Sequence, residues 1–341
     1  MAAGTGGVTA SGGDGVAAIM ARGGERLRRL RARTEQNLDR VTAEAGAPLA
    51  SYANATVAAG GKRLRPLLVV LATESAGGPA PGGGEERMVR AAVAVELVHS
   101  ATLVHDDLID GAQLRRGRPT VAAAAGRRTA VATGDLLFSR AFAELARNDD
   151  AAQLQALSQA SSALAEGELM QREDAWAAHV PIERYMRRCE LKTAALFEAA
   201  CRLGALNAGA SAQLAAALGA FARRIGLAFQ LLDDILDVSG PVERTGKARG
   251  TDLLDGTVTL PFILARERDP ALAQVELRSL GGPQQAEALC ERIAATGALD
   301  EARERALAVV AEAKASLPEI VPDGRSGQLA LLADALVERY G

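Results

Sequence analysis

The sequence predicts an all-α protein on two observations. Of its 341 residues 48% are apolar but only 3% are aromatic, and alanine and leucine prevail over the Val, Ile, Thr and aromatic runs that favour strands. Long segments also run without a glycine or proline break, as Met88–Leu108 does. We expect a flexible tail over Met1–Gly15 and a single all-α domain over residues 16–341, a bundle of about ten or more helices.

The individual helices follow from apolar periodicity and from the loop signals between them. Gly77–Gly84 is a loop, Arg116–Pro119 breaks the pattern again, and Pro181 opens the next helix. No fixed repeat period is present and no linker divides the chain. The predicted helices are Val16–Ala47, Met88–Leu108, Thr129–Ala146, Asp150–Gln171, Ile182–Leu206, Ser211–Val238 and Thr257–Arg266, with loops at Gly240–Pro241, Gly246–Gly256, Gly281–Pro283 and Pro322–Gly327.

Composition excludes several classes of protein. The net charge of −3 and the scattered basic residues give no reason to expect nucleic acid as a partner. The basic run Arg22–Arg33 is interpreted as a solvated helix face, with a membrane-surface or partner contact as the alternative. Cys189, Cys201 and Cys290 lack metal-site spacing and are interpreted as reduced, packed thiols. No segment reaches the roughly 18 apolar residues of a membrane span, and no signal core is present, so we expect a cytoplasmic protein.

The pattern Asp-Asp-x-x-Asp occurs twice, 127 residues apart, and carries the strongest chemical signal. On a helix, the first and last aspartates of each pattern share one face. Three carboxylates on one turn in apolar surroundings are costly unless compensated, and Mg²⁺ favours a few carboxylates together with water and phosphate oxygens. We therefore predict a magnesium and diphosphate site at one mouth of the bundle. Its candidate metal ligands are Asp106, Asp107, Asp110, Asp233, Asp234 and Asp237.

Cationic residues complement these acids. Arginine offers a planar fork that matches phosphate oxygens, and lysine supplies a point charge. A single basic element is usually an ordinary surface loop, but four of them beside two acidic clusters favour a diphosphate site. The four elements are Lys62–Arg65 within Gly60–Pro66, Arg115–Arg116, Lys192–Thr193 and Lys247.

Taken in order, these residues resemble the trans-polyprenyl diphosphate synthases. The resemblance runs from about Val16 to the C-terminus, and paired aspartate-rich motifs in this context are highly specific. It implies the isoprenoid synthase bundle of helices around a central cavity, usually a homodimer. It also implies a prenyltransferase that condenses isopentenyl diphosphate head to tail with an allylic diphosphate, forms trans double bonds and releases pyrophosphate. The matching motifs are Gly60–Pro66, Glu96–His99, His105–Asp110, Arg115–Gly117, Lys192–Thr193, Phe229–Asp237, Gly246–Lys247 and Gly250–Leu253.

The resemblance further implies a role for each matching residue. The aspartates would hold Mg²⁺, three ions per active site, because ionisation of the allylic diphosphate needs dense positive charge on the leaving group. The carbocation needs a dry wall with weak dipoles, and released pyrophosphate can remove the final proton. Arg115, Lys192 and Lys247 would bind the allylic diphosphate; Lys62, Arg65, His99 and Arg116 would bind isopentenyl diphosphate; Lys192, Thr193, Gln230 and Lys247 would form the catalytic set.

One position departs from the family pattern. Many relatives carry a lysine in the segment that follows Gly-Thr-Asp-Leu, and here Thr257 stands in its place. The diphosphate site therefore has one cation fewer. We expect weaker binding of the allylic substrate at most, because both acidic patterns are intact.

Small side chains before Asp106 predict a long product. Residues four and five positions earlier on a helix lie about one turn, about 5.4 Å, below the metal site, which is close to one isoprene unit. A large aromatic there would stop growth at C15 or C20, so small residues favour C30 to C50, as in a respiratory quinone side chain. The alternative is that they pack against a neighbour that itself closes the tunnel. The candidates for setting chain length are Ala101 and Thr102, then Leu97 and Val98, with Phe138 or Phe142 as the floor; Ala101→Phe would shorten the product.

Three other functions are weighed against this one. A geranylgeranyl (C20) diphosphate synthase would share the chemistry and differ only in the tunnel floor. A terpene synthase would need only one acidic cluster and no second diphosphate site. A subunit of a heteromeric synthase could be regulatory, although such subunits tend to lose acidic residues, or it could need a small partner to set product length. A transient contact with membrane lipid during product release is a further expectation.

Overall fold

The computed structural model describes residues 19–177, 179–240, 249–321 and 323–338, and confirms the all-α fold class. Long helices form the bundle, and short helical turns connect them near the C-terminal half. In chain order the elements are α1 (Gly24–Ala43), α2 (Leu49–Ala58), α3 (Leu64–Ser75), α4 (Gly84–Ile109), β1 (Leu114–Arg115), β2 (Arg118–Pro119), α5 (Val121–Ala146), α6 (Ala151–Asp174), α7 (Ile182–Cys189), a π turn (Glu190–Ala194), α8 (Ala195–Asn207), α9 (Ala212–Ser239), α10 (Thr251–Leu254), α11 (Leu260–Arg268), α12 (Pro270–Ala273), a 3₁₀ turn (Leu277–Ser279), α13 (Pro283–Ala295), α14 (Ala298–Ile320) and α15 (Gly327–Glu338).

Helices α4 and α9, which carry the two acidic patterns, lie in the core of the bundle. Helix α4 packs along α5 and also contacts α3 and α8, and residues 91–98 are all buried. Helix α9 packs against α8 and α14. Both helices are long and apolar enough to cross a membrane by length and composition alone, but 72% and 56% of their apolar windows are buried inside the fold. That burial is typical of core helices.

Two hydrophobic clusters fill the interior. The larger is built around α3, α4 and α8, and the smaller around α9, α11 and α13. Phe229 and Val309 pack against both clusters. Helices α3 and α8 approach to backbone contact, because a Cβ added at Gly204 would lie 2.4 Å from the carbonyl oxygen of Val69. The acidic helices are thus held by a tightly packed support.

Side-chain caps fix the starts of three long helices. Thr120, Asp150 and Ser211 each accept hydrogen bonds from backbone N–H groups in the first turn of α5, α6 and α9. Helix α5 starts at Val121 and not at the predicted Thr129, because Gly126 (φ 82°) kinks the helix without ending it.

Two features differ from the sequence prediction. The predicted break at Arg116–Pro119 is a small antiparallel hairpin in which Leu114 pairs with Pro119 and Arg115 with Arg118. The basic run on α1 is not simply solvated: Arg26 pairs with Glu74 at 2.8 Å and Arg29 pairs with Glu85 at 3.1 Å. These ion pairs connect α1 to α3 and α4. The prediction missed them because the sequence of one helix does not show which acidic residues will pack against it.

Candidate active site

The first acidic cluster ends α4 and is surrounded by arginines. Asp107 is buried, and its Oδ1 accepts from Arg115 Nη2 at 2.6 Å, across the turn into the hairpin. Asp110 pairs with Arg172 of α6. The hairpin therefore places Arg115 beside the cluster, as predicted, and α6 adds a cation that the sequence prediction did not include.

A lysine and a glutamate face Asp106. Lys192 pairs with Glu168, and Glu168 also accepts from Arg172 Nε at 2.8 Å. Burial raises the pKa of Asp106 to about 6, and the positive charge of Lys192 partly opposes that rise. Any positive charge added beside Asp106 would lower its pKa and stabilise its ionised form.

The π turn at Glu190–Ala194 carries Lys192 and Thr193 between α6 and α9. Its closing hydrogen bond runs from the Ala195 N–H to the Glu190 carbonyl. Glycines make room on both sides: a Cβ at Gly167 would lie 2.5 Å from Lys192 N, and one at Gly226 would lie 2.8 Å from Ala194 Cα. A single-turn π bulge is frequent at functional sites, and here it turns two adjacent side chains toward the two acidic helices.

The second acidic cluster ends α9, and its three aspartates differ in surroundings. Asp233 is exposed, and Asp237 Oδ2 accepts from the Asp252 N–H at 3.2 Å. Asp234 is only 4% exposed, and its two oxygens accept from Tyr185 Oη at 2.6 Å and Gln230 Nε2 at 2.7 Å. Burial raises the pKa of Asp234 to about 7. Both oxygens of Asp234 therefore accept from protein donors, and its role as a metal ligand stays a prediction.

Thr193 and Gln230, both predicted members of the catalytic set, contact each other in the structure. The Thr193 hydroxyl donates to Gln230 Oε1 at 2.6 Å. Because Lys192 faces the first cluster and Thr193 contacts the helix of the second, the π turn joins the two halves of the site.

A second group of cations gathers beside the first cluster, around His99. The guanidinium of Arg116 lies against the Gly61 backbone, where an added Cβ would be 3.2 Å from Nη1. Burial lowers the pKa of Arg65 to about 10, and within the described part of the chain its buried Nε has no hydrogen-bond partner. Burial and the charges of Arg65 and Arg116 hold the pKa of His99 well below its ordinary value. Concentrated positive charge beside a neutral imidazole suits an anion.

Arg63, in the same segment, has a structural role. It is 8% exposed and donates to Glu35 at 2.9 Å and to Glu96 at 2.7 Å. Its left-handed backbone (φ 51°) lets Lys62 and Arg65 flank it at the start of α3. The three cations of this segment therefore have different roles. Arg63 holds the loop in place through its two carboxylate partners, and Lys62 and Arg65 are left as the candidates for binding an anion.

A cavity of about 360 Å³ runs beside the helix that bears Asp106. Thr102 and Asp106 line it from α4, Phe138 from α5, and Leu164 and Leu169 from α6. The cavity therefore lies on the side of α4 that bears Thr102. The other candidates for setting chain length lie elsewhere: Ala101, Leu97 and Val98 are fully buried in the core, and Phe142 packs partly buried against that core.

The position of Thr257 adjoins the one tryptophan of the chain. The backbone N–H of Thr257 donates to the Asp252 carbonyl oxygen at 2.8 Å, and the backbone N–H of Trp176 donates to the Gly256 carbonyl oxygen at 2.8 Å. The indole lies on Gly256, where an added Cβ would be 2.2 Å from Cδ2, and Arg278 lies 5.3 Å from the ring centroid. This contact joins the end of α6 to the segment after α10.

Some predicted residues lie outside the described residues, and some described residues were not predicted. Lys247 falls in the first group. Glu168, Arg172 and Tyr185 fall in the second. The i, i+4 pair of Glu168 and Arg172 on one helix was the available signal for two of them, whereas nothing local marked Tyr185.

The carboxylates of the site fit a hard divalent cation shared with a ligand. In residues 19–177, 179–240, 249–321 and 323–338, no three His, Cys, Asp or Glu side chains lie close enough together to hold an ion alone. Mg²⁺ commonly takes one or two carboxylates and completes its shell with water and substrate phosphates. The arrangement therefore suits an ion that binds together with a diphosphate.

Comparison with known proteins agrees with this geometry. Residues 47–296 match the polyprenyl synthetase family model. The chain is 43% identical to heptaprenyl diphosphate synthase component 2 of Geobacillus stearothermophilus over 64% of this chain and 67% of that protein, and 36% identical to geranylgeranyl diphosphate synthase of Methanosarcina mazei over 83% and 87%. A crystal structure of polyprenyl synthase from Caulobacter crescentus, complexed with calcium and isoprenyl diphosphate, has a TM-score of 0.85 and 33% identity, covering 96% of this chain and 98% of that one.

Proposed function

The chain belongs to the polyprenyl synthetase family and is a prenyl diphosphate synthase, and from that premise we propose its reaction. It joins isopentenyl diphosphate head to tail to an allylic diphosphate, and it releases pyrophosphate. The observation that carries this proposal is the π turn, which sets Lys192 against the first acidic cluster and Thr193 against the helix of the second. The test is to incubate the purified protein with farnesyl diphosphate, excess isopentenyl diphosphate and Mg²⁺. Chain-extended products would support the proposal, and intact diphosphates would contradict it.

The allylic diphosphate is assigned to the space between the two acidic helices. Asp106, Asp107, Asp110, Asp233 and Asp237 would hold Mg²⁺, three ions in all, and the bound metal would neutralise the leaving diphosphate. The calcium and isoprenyl diphosphate in the Caulobacter crescentus protein support an ion and a diphosphate together. Arg115, which pairs with Asp107, and Lys192, which faces Asp106, add positive charge, and Lys247 is assigned here by the resemblance alone.

Proton competition at Asp106 gives a testable dependence of metal binding on pH. Because burial raises the pKa of Asp106 to about 6, this carboxyl is protonated below that pH and must lose its proton before it can bind metal. We expect the half-saturating Mg²⁺ concentration to rise about tenfold per pH unit below 6 and to level off above it. Thermal shifts of the protein with excess pyrophosphate, titrated with Mg²⁺ from pH 5 to 8, measure this, and the same titration of Asp106→Asn accounts for protonation of the pyrophosphate. A half-saturation that stays flat across pH 6 would contradict it, as would an equal slope in Asp106→Asn.

Isopentenyl diphosphate is assigned to the cation group around His99. Its diphosphate is not cleaved, so a basic site without metal is sufficient. Arg65 and Arg116 have no carboxylate within ion-pair distance among the described residues, unlike Arg63, and Lys62 precedes Arg65 on the same segment. Neutral His99 can donate or accept one hydrogen bond at the same place.

Removing one of these arginines should separate the two substrates. In Arg116→Gln we expect the KM for isopentenyl diphosphate to rise about 10- to 100-fold, since a charge-assisted hydrogen bond is lost. The KM for the allylic diphosphate should change by less than about threefold. Initial rates with each substrate varied in turn measure this, and Arg118→Gln, two residues along the same hairpin, is the matched control. An equal rise in both KM values would argue against two distinct diphosphate sites.

For the product we propose a medium- or long-chain all-trans polyprenyl diphosphate, C30 to C50, of the kind that a quinone side chain requires. Thr102, on the cavity wall one turn before Asp106, is small, and Phe138 bounds the same cavity from α5. The relatives leave a C20 product as the alternative, since one is named a heptaprenyl and another a geranylgeranyl diphosphate synthase.

Thr102, and not Ala101, is the residue at which a large side chain should limit product length, because Thr102 lines the cavity and Ala101 does not. We expect Thr102→Phe to shorten the product to C15 or C20, because the ring would fill the space below Asp106, and Phe138→Ala to lengthen it. Ala101→Phe should instead cost about 1–3 kcal/mol of stability, because Ala101 is 0% exposed in a packed core. Chromatography of dephosphorylated products and thermal unfolding measure both effects. Unchanged product length in Thr102→Phe would contradict the role of this cavity.

A homodimer is proposed for the assembly. Val131 is 39% exposed on α5, outside the residues that line the cavity, and a second copy would cover it. The alternative is a heteromeric synthase, which the similarity to a protein named component 2 favours. Sedimentation of the isolated chain together with its activity decides between them: an active dimer supports the first, and an inactive chain that gains activity with a second subunit supports the second.

A further inference from the structure

Four side chains form one continuous hydrogen-bonded row through the site. Thr193 Oγ1 donates to Gln230 Oε1 at 2.6 Å, and Gln230 Nε2 donates to Asp234 Oδ1 at 2.7 Å. Tyr185 Oη donates to the other oxygen, Asp234 Oδ2, at 2.6 Å. Tyr185 is 0% exposed and Asp234 is 4% exposed. The resemblance places Thr193 and Gln230 beside the developing allylic cation, and the proposed reaction leaves Tyr185 and Asp234 without a role.

The two hydrogen bonds that Asp234 accepts dictate the direction of every bond in the row. In the structure both Asp234 oxygens accept, one from Tyr185 Oη and the other from the amide nitrogen of Gln230. The Gln230 amide oxygen then faces Thr193, and an amide oxygen only accepts. The single hydroxyl proton of Thr193 is therefore committed to Gln230, and only oxygen lone pairs remain on its other side.

We propose that Tyr185 and Asp234 are positioning residues that fix the hydrogen-bond direction of Thr193, so that this hydroxyl presents lone pairs and no proton to the allylic cation. This inference rests on the proposed function. A preorganised dipole with its negative end toward developing positive charge stabilises the transition state, and a reversed dipole opposes it. The effect belongs to the ionisation step and not to substrate binding.

The surroundings of Asp234 favour this role over a purely structural one. Its neighbours Leu231 and Ile235 belong to an apolar cluster, where a carboxylate costs stability and a leucine would not. Both of its oxygens are used by residues of the same row, and the row ends at Thr193, next to the cavity-lining Lys192.

The test uses Tyr185→Phe and Thr193→Val, alone and together, in the full chain at pH 8. Tyr185→Phe removes one donor and keeps the ring, and Tyr52→Phe on α2 makes the same change outside the site. We expect Tyr185→Phe to lower the single-turnover rate about 10- to 100-fold, as losses of outer supporting groups do. KM values for both diphosphates and the half-saturating Mg²⁺ concentration should stay within about twofold. In the Thr193→Val background, Tyr185→Phe should have no further effect on the rate.

Three results would overturn the inference. The first is an unchanged rate in Tyr185→Phe, with or without a fall in Tm, since the hydroxyl would then only stabilise the fold. The second is an undiminished effect of Tyr185→Phe in the Thr193→Val background, since the hydroxyl would then act by another route. The third is a rise of about tenfold or more in half-saturating Mg²⁺ in Asp234→Asn, which would make Asp234 a metal ligand. A wild-type chain that forms no extended product contradicts the proposed function itself, and is thereby distinguished from all three.

Discussion

Asp106→Asn is expected to lower kcat/KM by about 100- to 1,000-fold, comparable to the loss of one preorganised electrostatic contact in an enzyme site. The amide keeps the size of the carboxyl and removes the charge that a shared Mg²⁺ would require. Asp106 lines the cavity and faces the positive charge of Lys192, so it stands where the diphosphate and the growing chain would meet. The decrease should appear in the chemical step and in the Mg²⁺ requirement together.

Steady-state rates over a range of Mg²⁺ concentrations measure this loss, and circular dichroism checks that the fold is retained. Asp39→Asn, on the exposed face of α1, makes the same change far from the site and should behave as wild type. Activity of Asp106→Asn within about threefold of wild type would remove the first acidic cluster from the proposed mechanism.

The second large effect is expected from a single methyl group at Gly167. A Cβ there would lie 2.5 Å from Lys192 N and 2.9 Å from Lys192 Cα, so α6 and the π turn must move apart. Backbone cannot yield as a flexible side chain does, and overpacking of this kind costs about 1–3 kcal/mol. Displacing the π turn by about 1 Å would misplace Lys192 and Thr193 and lower kcat about 100-fold.

Rates and thermal unfolding of Gly167→Ala separate the two consequences. Gly327→Ala is the matched control, because nothing lies within 4 Å of a Cβ at Gly327. Tm loss without a loss of kcat would show that the π turn can shift without disturbing the reaction. Full activity and full stability would show that α6 adapts, and would refute the close approach itself.

The sequence contained enough to predict the acidic helices, because an Asp-Asp-x-x-Asp pattern and the helix that bears it are local features. Met88–Leu108 was predicted and α4 runs from Gly84 to Ile109, so the helix is confirmed with small shifts at both ends. Lys192–Thr193 is marked by its charge in the sequence, whereas Gln230 is singled out only by the resemblance. The family and the enzyme class are confirmed by the same relatives.

Neighbours distant in sequence decided the rest. Consecutive residues on a helix point about 100° apart, so Ala101 and Thr102 could not both face the cavity, and only the packing of α5 and α6 shows which one does. Tyr185 and Asp234 are 49 positions apart, and nothing in either segment indicates their contact. The single domain over residues 16–341 and the cytoplasmic location stay predictions.

The contact of Trp176 with Gly256 provides an intrinsic fluorescence probe. Since the chain has one tryptophan, all of its indole emission comes from this single point, where the end of α6 meets the segment that holds Thr257. The ring lies against backbone on one side and near the Arg278 guanidinium. Separation of the two segments would expose the indole to water and shift its emission to longer wavelength. Movement of this edge of the site on ligand binding can therefore be followed by fluorescence in the unlabelled protein.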